Sequence, residues 1–276
     1  MRVLRADAMG LCWGVRRALR IVDDALAAVP GAPVYSLGPL IHNSRVVEEY
    51  HRRGVTCVRE VPAVESGTMI IPAHGAGPAE RQSCRERGLE IVDATCPRVA
   101  RIQELAAAHD AQGYGVIVVG DAGHREVKGI RAHAAVSLAI SRIEEAEAAD
   151  LSGRPWLVVS QTTFRHADLA LICRALESRS ADLLIRDTGC SATEERQKSL
   201  LRLAPEVDAL LVIGSKESAN TRRLYETARE TGRPSWHIEG ADELPAGLGA
   251  YGVVGISAGA STPDSIVDEV EAAILV

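Results

Sequence analysis

Gly10-Leu11-Cys12-Trp13-Gly14-Val15, Asp93-Ala94-Thr95-Cys96-Pro97 and Asp187-Thr188-Gly189-Cys190-Ser191-Ala192-Thr193-Glu194 each place a cysteine just ahead of a helix-like segment. After Cys12, apolar residues recur at Val15, Ala18, Leu19, Val22, Ala25, Leu26 and Val29, the spacing of one buried helix face. Pro97 suits the first position of a helix that continues through Val99, Ile102 and Leu105. Ser191 and Glu194 have capping-box spacing ahead of Leu200, Leu201 and Leu203. A helix N-terminus favours negative charge and lowers a thiol's pKa, so each position is expected to supply thiolate. Three such positions, far apart in the chain, point to ligation of one soft centre.

Outward from these stretches, strand-like runs lie at 2–6, 33–37, 55–58, 68–71, 89–92, 115–119, 136–140, 156–159, 183–186, 209–213, 235–238 and 252–256. They alternate with the helices after the cysteines and with helix-like segments near 44–53, 78–87, 167–176, 220–231 and from 263 on. This alternation predicts an α/β protein with mainly parallel sheets. The cysteines cut the chain into comparable thirds. The expected architecture is therefore three small α/β lobes at 14–95, 96–190 and 191–276, the last joined by the N-terminal 1–13. Short helix–Gly–strand units recur, without a strict sequence repeat.

The chain has 276 residues and a net charge of −6, a balance that calls for neither nucleic acid nor an anionic membrane. Met1 to Asp7 lacks the apolar run of a signal peptide, and runs such as 116–119 and 209–213 are too short to span a bilayer. The expectation is a soluble, cytoplasmic protein. In a reducing compartment, six cysteines suggest metal or catalytic use over disulfides. Cys57, Cys84 and Cys173 have structural readings: one within a strand-like run, one in a short polar helix, one among leucines.

Ligands of open α/β sheets bind beyond the carboxyl ends of the strands. Six such places carry small or polar residues: His42-Asn43, His74-Gly75, Gly123 to Glu126, Gln161-Thr162-Thr163, Ser215 to Asn220, and Ser257 to Ser261. Hydroxyls, amides and imidazoles there suit a phosphate group. No Walker A loop or G-x-G-x-x-G fingerprint is present, so a nucleotide held in the usual way is not expected. Each cluster also has a structural reading, with Ser218, Asn220 and Ser261 as helix caps and Thr162 and Thr163 as turn residues. His51, His109, His133, His166 and His237 lack such a setting. Glu126, two residues after His124, is a candidate proton donor, or else a first-turn helix acid. For the thiolates two centres remain open: zinc with three cysteines and water, or an iron–sulfur cubane with one iron free for substrate.

These motifs, with Ile41-His42-Asn43, Ala73-His74-Gly75, Glu126-Val127, Arg196-Gln197 and Ala258-Gly259-Ala260-Ser261-Thr262-Pro263-Asp264, run in one order over nearly the whole chain. In this the sequence resembles the 4-hydroxy-3-methylbut-2-enyl diphosphate reductase family of the methylerythritol phosphate route to isoprenoids. The resemblance implies three α/β lobes around one central [4Fe–4S] cluster held by Cys12, Cys96 and Cys190. It implies a diphosphate held by His42, His74, His124, Ser218, Asn220 and Ser261, with Thr162 and Glu126 as the proton relay beside the substrate. It also implies an allylic diphosphate substrate and a ferredoxin- or flavodoxin-type electron donor. Two electrons would remove the substrate hydroxyl as water, giving isopentenyl or dimethylallyl diphosphate.

Three positions depart from the family pattern. Ala219 stands where a second hydroxyl is usual beside Ser218, Arg125 where proline is usual between His124 and Glu126, and Gly189 where an apolar residue is usual before Cys190. The expected cost is weaker substrate binding or altered proton delivery, with the cluster retained. Competing readings are a paralogue acting on a related allylic diphosphate, a non-enzymatic iron–sulfur sensor of a diphosphate, and a zinc hydrolase.

Overall fold

The structure, a computed structural model, describes residues 1–180 and 182–275, with Pro62 described through its backbone. The chain opens with strand β1 (Arg2–Arg5), helix α1 (Trp13–Ala28), β2 (Val34–Leu37), α2 (Ser44–Arg52), β3 (Val55–Val58), β4 (Thr68–Ile71), α3 (Pro78–Glu86), β5 (Glu90–Asp93) and α4 (Pro97–Asp110). It continues with β6 (Gly115–Val119), α5 (Arg125–Arg131), β7 (Ser137–Ile140), α6 (Ile143–Ala148), β8 (Trp156–Ser160), α7 (His166–Glu177), β9 (Leu183–Ile185) and α8 (Ser191–Leu203). It closes with β10 (Ala209–Ile213), α9 (Ala219–Glu230), β11 (Ser235–Ile238), β12 (Val253–Ala258) and α10 (Asp264–Leu275).

Among the described residues the strands form three four-stranded sheets, every pairing parallel, as three α/β lobes require. The first sheet has the order β3-β2-β4-β5, the second β7-β6-β8-β9, and the third β11-β10-β12-β1. All three thus share one spatial order, second-first-third-fourth. In the third sheet the fourth place is filled from the N-terminus, with Arg2 opposite Val253. A repeat that the sequence does not display is present in the topology.

Strands β6, β8 and β10 are buried along their whole length, as strands covered on both faces should be. In the second sheet Ile117, Val119, Trp156 and Val158 pack with Ile172 and Leu176 of α7. Val116, Val118, Leu157 and Val159 on the opposite face pack with Ile102 of α4 and Val127 and Ile130 of α5. The third sheet is covered in the same way, by α10 through Val267 and Val270 and by α8 and α9 through Leu200 and Leu224. Each such buried aliphatic side chain contributes roughly 1.5–3 kcal/mol relative to exposure.

By packing, Met1–Arg16, His42–Val46 and the chain from Cys190 onward form one compact unit. Arg17–Ile41 and Val47–Gly189 form a second. Among the described residues no helix is long and apolar enough to cross a membrane.

Helix α6 was not anticipated, whereas α5 bears out the reading of Glu126 as a first-turn helix acid. Both are short, and α6 buries only Ala146 of a Glu-rich segment, so it carries no readable apolar stripe. The capping box expected at Ser191 is displaced: Cys190 itself occupies the cap position in extended conformation, and Ser191 is already helical.

Candidate functional site

Each of the three cysteines follows the fourth-position strand of a sheet: Cys12 after β1, Cys96 after β5, Cys190 after β9. Cys96 and Cys190 are the N-cap residues of α4 and α8, with Pro97 at the first helical turn of α4, and Cys12 immediately precedes α1. Cys96 N–H donates to Ala73 O at 2.9 Å, and Cys12 N–H to Ala260 O at 3.0 Å. Those acceptors lie one residue before His74 and one residue before Ser261. Within each sheet concerned, the backbone therefore fixes a cysteine beside a candidate anion anchor. In the second sheet Thr188 latches the same pair of strand ends, accepting from Ser160 N–H at 2.7 Å and donating to Ser160 O at 2.9 Å.

Cys12, Cys96 and Cys190 are half-buried and lie outside any disulfide, and Val15 N–H donates to Cys12 Sγ at 3.4 Å. Cys84 and Cys173 are buried, and burial pushes their thiols up, as structural cysteines should be. Cys57 is exposed on strand β3. Among the described residues no three His, Cys, Asp or Glu side chains gather around one metal-ion position. A cluster makes no such demand, since it holds each thiolate on a separate iron.

The polar residues occupy equivalent places too. In an order that reverses between its first and third strands, the crevice lies beyond the carboxyl ends of those two. His42 follows β2 and His74 follows β4; His124 follows β6 and Thr162 follows β8; Ser218 follows β10 and Ser261 follows β12. Three sheets thus present the same two positions.

In the first compact unit Ser261 Oγ donates to His42 O at 3.1 Å and to Ser218 Oγ at 3.3 Å. Asn43 Nδ2 donates to Ser261 O at 3.1 Å, and its Oδ1 accepts from Val46 N–H. Ser218 caps α9, accepting from Thr221 N–H at 3.3 Å, so its structural reading holds. Asn220 is 5 % exposed, and its Nδ2 has no hydrogen-bond partner. A buried, unpaired amide donor is costly, and an anion beside it removes the cost.

In the second unit Glu126, 4 % exposed, accepts from Thr162 N–H at 2.6 Å through Oε1 and from Thr162 Oγ at 2.9 Å through Oε2. Burial raises the Glu126 pKa, outweighing the two Thr162 hydrogen bonds that favour the carboxylate. His124 caps α5, its Nδ1 accepting from Glu126 N–H at 3.2 Å. His74 is buried beyond β4. Thr95 is clamped beside Cys96: Asp93 Oδ1 accepts from Thr95 N–H at 2.9 Å, Arg81 holds Asp93 at 2.7 Å, and Arg17 donates to Thr95 O at 3.1 Å. Sequence reading gave Asp93, Arg81, Arg17 and Asn43 no individual role, since each acts through a neighbour brought to it by folding.

A model of the LytB protein family matches residues 3–275 of the chain. This chain belongs to the LytB protein family. It is 39% identical to the 4-hydroxy-3-methylbut-2-enyl diphosphate reductase of Treponema denticola, covering all of this chain and 99% of the relative. It is 40% identical to the enzyme of the same name from Solidesulfovibrio magneticus, covering 98% of each. Among solved structures it is similar to (E)-4-hydroxy-3-methyl-but-2-enyl diphosphate reductase, the terminal enzyme of the non-mevalonate pathway. That likeness has a TM-score of 0.73 at 35% identity and covers 100% of this chain and 99% of that one. The E-1-hydroxy-2-methyl-but-2-enyl-4-diphosphate reductase of Plasmodium falciparum shares the fold, with a TM-score of 0.91 at 24% identity over 97% of this chain and 86% of that one.

The three departures from the LytB pattern have physical settings here. Arg125 turns its guanidinium across Gly38 and toward Glu80, 3.5 Å away. Gly189 lies against His166, whose Nε2 would be 2.9 Å from any Cβ at that position. Ala219 is buried at the start of α9.

Proposed function

We infer that the chain catalyses reductive dehydroxylation of 4-hydroxy-3-methylbut-2-enyl diphosphate to isopentenyl and dimethylallyl diphosphate. Two electrons and two protons enter, and the hydroxyl leaves as water. An iron–sulfur centre is general to this family. Its type here is one [4Fe–4S] cluster, held by Cys12, Cys96 and Cys190 across lobes at 14–95, 96–190 and 191–276, the last joined by 1–13. The donor set suits it: thiols outside any disulfide at helix starts, one of them receiving a backbone N–H. When bound, such a cluster supplies single-electron transfer and an iron without a protein ligand for the substrate hydroxyl. The electrons come from a ferredoxin- or flavodoxin-type donor.

The diphosphate is held by His42, His74, His124, Ser218, Asn220 and Ser261, with the free Asn220 amide as one donor. The observation that carries the reading is the Glu126–Thr162 pair. Thr162 N–H can only donate, so it fixes Oε1 as an acceptor. In the acid form the proton therefore sits on Oε2 and points at Thr162 Oγ. That frees the Thr162 O–H to face the leaving hydroxyl. When Thr162 passes its proton on, the Oε2 proton replaces it, and the pair ends with Thr162 donating to a carboxylate.

The test is anaerobic single turnover of the reduced protein with the hydroxylated diphosphate, for wild type and Glu126→Gln. Collapse of turnover with the brown cluster kept supports the reductase. Full turnover in the variant removes the relay, and a wild type that binds the diphosphate without turning it over leaves the sensor.

A further inference from the structure

Arg196, on the second turn of α8, is 7 % exposed. Its Nε and Nη2 donate to Gly10 O at 3.1 and 2.6 Å, and its Nη1 donates to Ala192 O at 2.7 Å. Gly10 lies two residues before Cys12, and Ala192 two residues after Cys190. One side chain therefore ties the backbone on both cysteine loops of the first compact unit. Both acceptors are neutral carbonyls, and among the described residues no carboxylate pairs with this guanidinium.

A buried cation without an anion is costly, and buried charges are as a rule paired or placed beside a charged group. The other cation at this place does not share the predicament. Arg16 is half-exposed and pairs with Asp264 at 3.0 Å. Burial opposes the charge on Arg196, the Cys12 and Cys190 sulfurs favour it, and Arg16 opposes it. The negative charge that Arg196 lacks is the charge that thiolates at Cys12 and Cys190 would supply.

We propose that Arg196 is the internal counter-cation of the Cys12 and Cys190 thiolates and of the iron–sulfur centre they hold, and that its fixed charge raises the centre's reduction potential. This rests on the cluster assignment above. Each one-electron reduction, by an external donor, adds one negative charge to the centre. A positive charge held nearby in a low-dielectric setting stabilises the reduced form more than the oxidised one. Arg196 is a positioning residue: its guanidinium bonds the backbone of the two cysteine loops and acts through them and the field at the centre.

The experiment is a redox titration, followed by visible absorbance and EPR, of anaerobically reconstituted wild type, Arg196→Gln and Arg196→Lys. Dithionite is the reductant, and iron per chain is measured in parallel. Gln keeps amide donors and loses the charge, whereas Lys keeps the charge and loses the fork. The expected result is a reduced-to-oxidised ratio at least tenfold lower in Arg196→Gln at one fixed potential, a shift of 59 mV or more for a one-electron couple. Arg196→Lys should stay within threefold of wild type. A Gln variant that loads iron and titrates with wild type overturns the proposal, as does a Lys variant shifted as far as Gln. Should Gln fail to load, Lys decides: loading at the wild-type potential supports the charge role, and failure or a tenfold shift overturns it. A wild type without an iron–sulfur centre sinks the cluster assignment itself, a result distinct from all of these.

Discussion

Glu126 is a carboxyl whose surroundings favour the proton. Its folded-state pKa is raised by burial, so the folded protein holds that proton to higher pH than the unfolded chain does. Stability should therefore fall as pH climbs from the ordinary carboxylate range through the raised value, and Glu126→Gln should flatten that slope. Urea midpoints at several pH values measure it. Turnover should lose its proton donor over the same climb, and Glu126→Gln should cost roughly 10²–10⁴-fold in single-turnover rate. Arg125 makes the opposite case, a residue that sequence sets beside the acid and folding turns away. Its pair with Glu80 is part-exposed and 3.5 Å long, worth at most about 1 kcal/mol. It stands at the first position of α5, which proline fits. Arg125→Pro should thus leave kcat/KM within about threefold of the parent, as steady-state assay would measure.

At the level of elements, the working positions come from strand ends and helix starts held by backbone hydrogen bonds. The loop after β12 packs on α9 through Gly259. A Cβ there would collide with Thr221 Oγ and lie 2.9 Å from its Cβ and 3.3 Å from its backbone Cα, leaving no flexible side chain to yield. Gly259→Ala should push the loop bearing Ser261 away from Ser218. The expected loss is about 1–3 kcal/mol in stability and about tenfold in substrate affinity, with the pH limb set by Glu126 unchanged. Calorimetric titration with the diphosphate and a pH–rate profile test the two halves separately. The apolar stripes that make α1 and α4 were readable from spacing. The short α6 was not, because it is specified by what it packs against.

For the whole molecule, three sheets of one strand order each carry a cysteine after the fourth strand and polar anchors after the first and third. The proposed centre, with ligands drawn from distant parts of the chain, would bind only the folded protein, so its removal should lower thermal stability. With binding that exceeds its dissociation constant about a hundredfold, the shift should be roughly 5–10 °C, read by anaerobic melting before and after chelation. Sequence alone determined the alternation of elements and the three lobes of parallel sheet, and it nominated the cysteines and anchors of the proposed site. Periodicity, helix-start chemistry and motif order are local properties, and they survive without coordinates of the rest. Only the tertiary structure decided that Glu126 bonds Thr162, that Ser261 gathers His42, Asn43 and Ser218, and that Arg196 is buried among neutral carbonyls. Those facts depend on which distant strand ends meet and on which groups lose water in the process. Pairing and desolvation across long sequence separations leave no mark in any single stretch of chain.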